Sequence, residues 1–138
     1  MNKLELTMPT IPDEYLDLTE RPVATIATIG SDGRPQLSAV WFLFEDGKLR
    51  VSLNRARQKT KNLLANPAAT LFILDEGDYR YLEVRGDVTI EADDDYQFAD
   101  RVGAKYNADL RQMDGPGESR VVVTFEPVRV NAVNMSGG

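Results

Sequence analysis

The chain has 138 residues, a net charge of −6, and neither cysteine nor histidine. Its length suits a single domain, residues 1–138, with a core that needs no staples. The two missing residue types exclude disulfides, thiolate metal sites, Cys nucleophiles, a Ser-His-Asp triad, His-rich zinc sites and His-ligated haem, and the acidic balance argues against nucleic acid.

An enzyme of this composition has two routes. It can shift the pKa of a Glu, Lys or Tyr strongly, or it can let a bound cofactor do the chemistry. The longest apolar runs, such as AVWFLF at 39–44, fall far short of the ~18 residues of a membrane span. Residues 1–15 lack the basic-then-apolar layout of a secretion signal. The expected location is the cytoplasm, with no membrane partner.

In chain order, PDEYLDLTE (12–20) predicts a short helix, with Thr10 as N-cap and Asp13 and Glu14 at the positive end of its dipole. RPVATIATIG (21–30) predicts a first strand. SDGR (31–34) turns the chain into a second, PQLSAVWFLF (35–44), which makes a hairpin. EDGK (45–48) leads to a third strand, LRVSL (49–53), and the three form a meander. Thr60 to Ala65 predict a short helix that stops before Pro67. AATLFILD (68–75) and RYLEVRGDVTIEA (80–92) are the fourth and fifth strands, and Gly86 marks a bulge or bend. Residues 93–106 predict a helix with Phe98 and Val102 inward. A polar loop (107–118) precedes a sixth strand (119–133), interrupted at Pro127. The expected fold is mainly β with flanking helices, a small six-stranded antiparallel barrel.

Two features suggest more. AVWFLF is apolar on both faces, so its second face needs a cover, either another subunit or the long helix of the same chain. The stretch LNRARQKTKNLL (53–64) places Arg55, Arg57, Lys59 and Lys61 at alternate positions, four of the 16 basic residues. The run spans a strand end and a helix start, where unpaired N–H groups and the dipole favour an anion. Thr60 and Asn62 add neutral donors. The bland alternative is a solvated charged face. Gln36 and Ser38 share a face of the second strand opposite Leu37 and Ala39, either in solvent or along a polar crevice. Tyr79, Tyr81 and Trp41 can stack on a flat ligand or simply pack. No glycine-rich phosphate loop or EF-hand spacing is present, and no metal ligands are expected.

The order ATIATIGSDGRPQLSAVWF, LRVSLNRARQKTKNLLANPAATL, YRYLEVRGDVTI resembles the pyridoxamine 5'-phosphate oxidase-like split β-barrels of FMN-binding type, and more closely the flavin/deazaflavin oxidoreductase branch that uses coenzyme F420. The most specific part is R-x-K-T-K-N-L followed by P-x-A. The resemblance implies a homodimer with two cofactor sites along the subunit interface, and hydride transfer between reduced F420 and a conjugated small organic acceptor. It implies that Arg57, Lys59 and Thr60 hold the cofactor phosphate and acidic tail, with Arg55, Lys61 and Asn62 as neighbours. Ser52 resembles a phosphate-side contact, and Gln36 and Ser38 resemble residues near the ring system. Tyr79 and Tyr81 would come from the other subunit. Ala39 stands where relatives often carry Asn. FMN is the alternative cofactor; the alternative functions are an FMN-binding oxidoreductase of the pyridoxamine 5'-phosphate oxidase type and a non-catalytic F420- or flavin-binding protein.

Overall fold

The computed structural model describes residues 9–137, so the reading of the chain start as free of a secretion signal falls partly outside them. Asp13–Glu20 form a 3-10 helix behind Pro12; no side chain caps it, so Thr10 does not. Strands β1 (Ala24–Ile29) and β2 (Pro35–Val40) make the expected hairpin. They are followed by β3 (Leu43–Glu45), β4 (Lys48–Asn54) and helix α1 (Gln58–Ala65). Next come β5 (Ala68–Asp75), β6 (Arg80–Ala92), helix α2 (Gln97–Tyr106), a 3-10 turn (Leu110–Met113) and β7 (Arg120–Asn134). Among the described residues no helix is long and apolar enough to cross a membrane.

Among the described residues the sheet has seven strands, not six, in the order β2-β1-β5-β6-β7-β4-β3, and every pairing is antiparallel. The extra strand arises because the predicted second strand breaks at Trp41 and Phe42. Tyr106 causes the break: its hydroxyl accepts from the Phe42 N–H (3.0 Å) and donates to the Phe42 carbonyl (3.2 Å). Lys105 Nζ also donates to that carbonyl (2.9 Å) and to the Arg21 carbonyl (3.1 Å). Phe42 therefore spends its backbone groups on α2 instead of a ladder. The expected meander is cut at the same place, since β4 pairs with β3 and β7 and not with β2.

That break also closes the fold. β2 and β3 are the two edges of the sheet, yet only two residues link them, a reach of at most about 11 Å. The sheet must roll until its edges meet. One core fills the roll: Ile26, Val40, Phe42, Val51, Leu71, Leu82, Val84 and Phe125 belong to a single buried cluster.

A second cluster lies outside the roll. Phe98, Ala99 and Val102 of α2 pack with Leu110 against Trp41, Leu43 and Val122. Phe98 and Val102 are buried, as their one-turn spacing requires. Residues 40–43 thus send Val40 and Phe42 into the barrel and Trp41 and Leu43 to α2. The long helix of the same chain covers Trp41 and Leu43 of AVWFLF, whereas Ala39 at the start of the run stays exposed.

The predicted 93–106 helix starts later, at Gln97, because Tyr96 takes a left-handed conformation (φ 57°). Asp93 still serves the helix start, accepting from the Phe98 and Ala99 N–H groups (3.1 and 2.9 Å). Gly86 is a bulge, as its position suggested: the β6–β7 register shifts between Arg85 and Gly86. A Cβ there would sit 2.2 Å from the Glu126 carbonyl oxygen, so only glycine fits. Pro127 lies opposite, where the irregular ladder tolerates its missing N–H, and β7 runs through unbroken.

Candidate functional site

The break that closes the barrel also opens a cavity of about 380 Å³. The end of β2 and the link after it (Ala39, Val40, Trp41) form one side, and the end of β4 (Ser52, Leu53, Asn54) forms the other. The segment between β4 and α1 contributes Arg57 and Lys59; Val23, Val102, Leu110, Met113 and Arg120 complete the lining. The cavity is therefore divided, with cations toward the basic segment and apolar and aromatic groups toward α2.

Local chemistry shapes the basic segment. Asn54 ends β4 and its Oδ1 accepts from the Ala56 N–H (2.8 Å), an Asx turn that starts the loop. The Thr60 hydroxyl donates to the Asn54 carbonyl (2.8 Å) and clamps helix to loop. Arg57 is the N-cap of α1 in extended conformation and no acid stands in the first turn. Of the opening N–H groups of the helix, that of Thr60 already donates to the Arg57 carbonyl (3.1 Å), and those of Gln58 and Lys59 precede the first intrahelical bond. None of Arg55, Arg57, Lys59 and Lys61 forms an ion pair among the described residues, although Lys48, Arg50, Arg80, Arg101, Arg111 and Arg120 all do. Burial first, then the charge of Arg57, pushes the Lys59 ammonium below the ordinary lysine range. A bound anion would offset both effects.

The expected site residues separate into groups. Ser52, Arg57 and Lys59 line the cavity. Arg55 and Lys61 are exposed and outside its lining. Thr60 is 0% exposed and Asn62 3%, so both face inward. Asn62 Nδ2 donates to Gln36 Oε1 (2.6 Å) and Thr28 Oγ1 (3.1 Å), and its Oδ1 accepts from Gln58 Nε2 (2.9 Å). Thr60 and Asn62 thus hold α1 in place, and within this chain their side chains are spent on that. Gln36 and Ser38 do share a face, the one that Ile26 and Thr28 turn toward the core.

Tyr79 and Tyr81 lie apart from the cavity. Tyr79 is 62% exposed in the β5–β6 turn, and Tyr81 packs on Phe72 at 5.0 Å. Cross-strand pairing puts Tyr81, Leu74, Phe72, Thr25, Ala39, Ala27 and Leu37 on one outward face, with Leu37 72% exposed. Trp41 stacks flat on Tyr106, ring centroids 4.4 Å apart and planes at 6°, and walls the cavity. Tyr106→Phe is expected to lower stability by about 1–3 kcal/mol, because the Phe42 N–H loses its acceptor. Denaturation followed by emission of Trp41, the one tryptophan, would measure it.

Sequence reading missed the group beneath the cations. Asp114 accepts from Arg120 Nε (2.8 Å) and Nη2 (2.9 Å), the Tyr96 hydroxyl (2.6 Å) and Asn54 Nδ2 (2.9 Å). Burial pushes the Asp114 carboxyl up, but those hydrogen bonds outweigh it and leave it below the usual range. The only local signal was two charges six apart at a loop and a strand start, which singles out nothing.

A rolled antiparallel sheet with a cation-lined cavity at its seam defines the class, a small split barrel. The chain belongs to the pyridoxamine 5'-phosphate oxidase family, whose model matches residues 11–134. It is similar to a solved F420 reductase at 35% identity, covering 88% of this chain and 98% of that one, TM-score 0.76. General Stress Protein 26 from Bacillus anthracis str. Sterne shares the fold at 21% identity, with 88% and 92% covered and TM-score 0.69. So does a pyridoxamine 5'-phosphate oxidase-related, FMN binding protein from Nostoc punctiforme PCC 73102 at 16%, with 84% and 76% covered and TM-score 0.63.

Proposed function

We propose that this protein is an oxidoreductase that uses coenzyme F420 to reduce a conjugated small organic acceptor in the cytoplasm. The observation that carries the reading is the divided cavity: Arg57 and Lys59, in no ion pair among the described residues, at one end, and Trp41, Val102 and Leu110 at the other. The first suits an anionic tail and the second a flat ring. Kinship with the F420 reductase supports the choice of cofactor. Arg55 and Lys61, outside the cavity on the same segment, suit a polyanionic tail that runs out of it; the single phosphate of FMN needs fewer cations.

When bound, reduced deazaflavin supplies a hydride from its C5. The chain's own work is to grip the tail, lay the ring against the apolar wall and keep water from the face where the acceptor docks. No histidine is required. The outward face around Leu37, Phe72 and Tyr81, largely apolar but also carrying Thr25, Thr70 and Glu83, suits a second copy of the chain, and a homodimer would let Tyr79 and Tyr81 reach the partner's site.

A fluorescence titration with F420 beside FMN, followed by oxidation of reduced F420 with a panel of enones and quinones, tests the reading. Tighter binding of F420 with turnover is expected. Tighter binding of FMN would make it a flavin enzyme. F420 binding without turnover across the panel would make it a carrier, and binding of neither would leave the basic segment a solvated face.

A further inference from the structure

Arg120 is the one cation in the cavity that nearly vanishes from solvent, with a side chain 10% exposed. Its Nε and Nη2 are fixed side-on to the 4%-exposed carboxylate of Asp114. Nη1 is left over. Its contacts are long ones to Ser52, 3.3 Å to Oγ and 3.5 Å to the carbonyl. Two N–H donors on a rigid guanidinium are thus poorly served at the point where Arg120 and Ser52 both line the cavity.

The surroundings contain opposing charge. Asp114 already spends its oxygens on Arg120, Tyr96 and Asn54. Glu118 Oε1 accepts from Asn54 Nδ2 (2.9 Å) and the Gly115 N–H (2.7 Å). Both acids are committed to positioning, and neither lines the cavity. What opens onto it at this end is Arg57, Lys59, Ser52 and Arg120. Unlike exposed Arg57, Arg120 is held before any ligand arrives, so little rotamer freedom is lost on contact.

We propose that Arg120 Nη1, together with the Ser52 hydroxyl, binds a phosphate oxygen of the cofactor, and that Asp114 is the positioning residue that aims it. The inference rests on the reading of the cavity as a cofactor site but not on which cofactor. Arg120→Lys keeps a cation beside Asp114 but replaces three guanidinium nitrogens with one ammonium, which cannot hold Asp114 side-on and reach the cavity as well. The test uses two ligand pairs that differ in phosphate alone: the deazaflavin riboside against its 5'-phosphate, and riboflavin against FMN.

Arg120→Lys should weaken the phosphate-bearing member of the binding pair by about 10- to 100-fold, with its phosphate-free partner unchanged. Ser52→Ala should show the same selectivity with a smaller loss. Equal weakening of both members would reduce Arg120 to scaffolding, and no change would overturn the contact; in both cases the F420 assignment survives if F420 still binds the unaltered protein. If only the FMN pair binds and Arg120→Lys still discriminates phosphate, the F420 assignment falls and the Arg120 contact stands. Binding of neither pair to the unaltered protein would overturn both.

Discussion

Asp114→Ala should destabilise the protein by about 3–5 kcal/mol, because it strands the buried Arg120 guanidinium without its counter-ion. The same change strips the acceptor from the Tyr96 hydroxyl and from one Asn54 N–H, so α2 and the basic segment both lose an anchor. Denaturant unfolding followed by Trp41 emission would show it as a fall in midpoint with little change in slope. Asp100→Ala is the matched control. It breaks an ion pair with Arg111 at 3.0 Å, but both partners are about half exposed, and exposed pairs contribute little. An equal loss in the two variants would mean that Asp114 is no more buried in solution than Asp100.

The pH dependence has a fixed sign. The folded pKa of Asp114 is lowered. Its stabilisation is therefore complete above the ordinary carboxylate pKa of about 4 and fades as pH falls through the lower folded value. Asp17, Glu45, Asp75 and Glu83 shift in the same direction, led in each case by a hydrogen bond, from Arg80, Arg101, Arg80 and Asn131 respectively. With no histidine to titrate, stability should be nearly flat from about pH 5 to 8 and drop below about pH 4. The Asp114→Ala variant should show a shallower acid decline, since one of the groups responsible is gone.

What the sequence shows and hides follows from how local each cause is. β5 and β6 match the predicted 68–75 and 80–92 because β-branched runs and a bounding turn are local. The basic segment was visible for the same reason: a charge run needs no partner to be noticed. The break in the second strand was not visible, because it is made by Tyr106, 64 residues away. The separate seventh strand goes with that break, which Tyr106 and Lys105 of α2 hold together. Thr60 and Asn62 looked like ligand donors because polar residues beside cations do. The fold instead turns them inward, to Asn54 and to the β1–β2 hairpin. Arg120 lies inside the predicted sixth strand (119–133) with nothing local to single it out, since its setting comes from Asp114 and from Ser52 on a neighbouring strand.

The double replacement Arg57→Ala/Lys59→Ala should weaken cofactor binding by about 100-fold or more, if each lost charge-assisted contact costs about 1.5–3 kcal/mol. Arg55→Ala/Lys61→Ala removes the same formal charge from the same segment. Only the first pair lines the cavity. The second pair meets only the solvent-exposed part of the tail, so its loss should be smaller and should shrink as salt rises past about 0.15 M, where the Debye length is about 8 Å. A diffuse basic field would instead make the two double variants equally weak. Lys59 adds a second handle. Its ammonium is already pushed below the ordinary lysine range, and a neutral amine holds no anion. Affinity should therefore fall as pH rises through its folded pKa, earlier than for an ordinary lysine, and binding in that range should take up a proton. In Lys59→Ala the alkaline loss of affinity should disappear, whereas in Lys61→Ala it should remain.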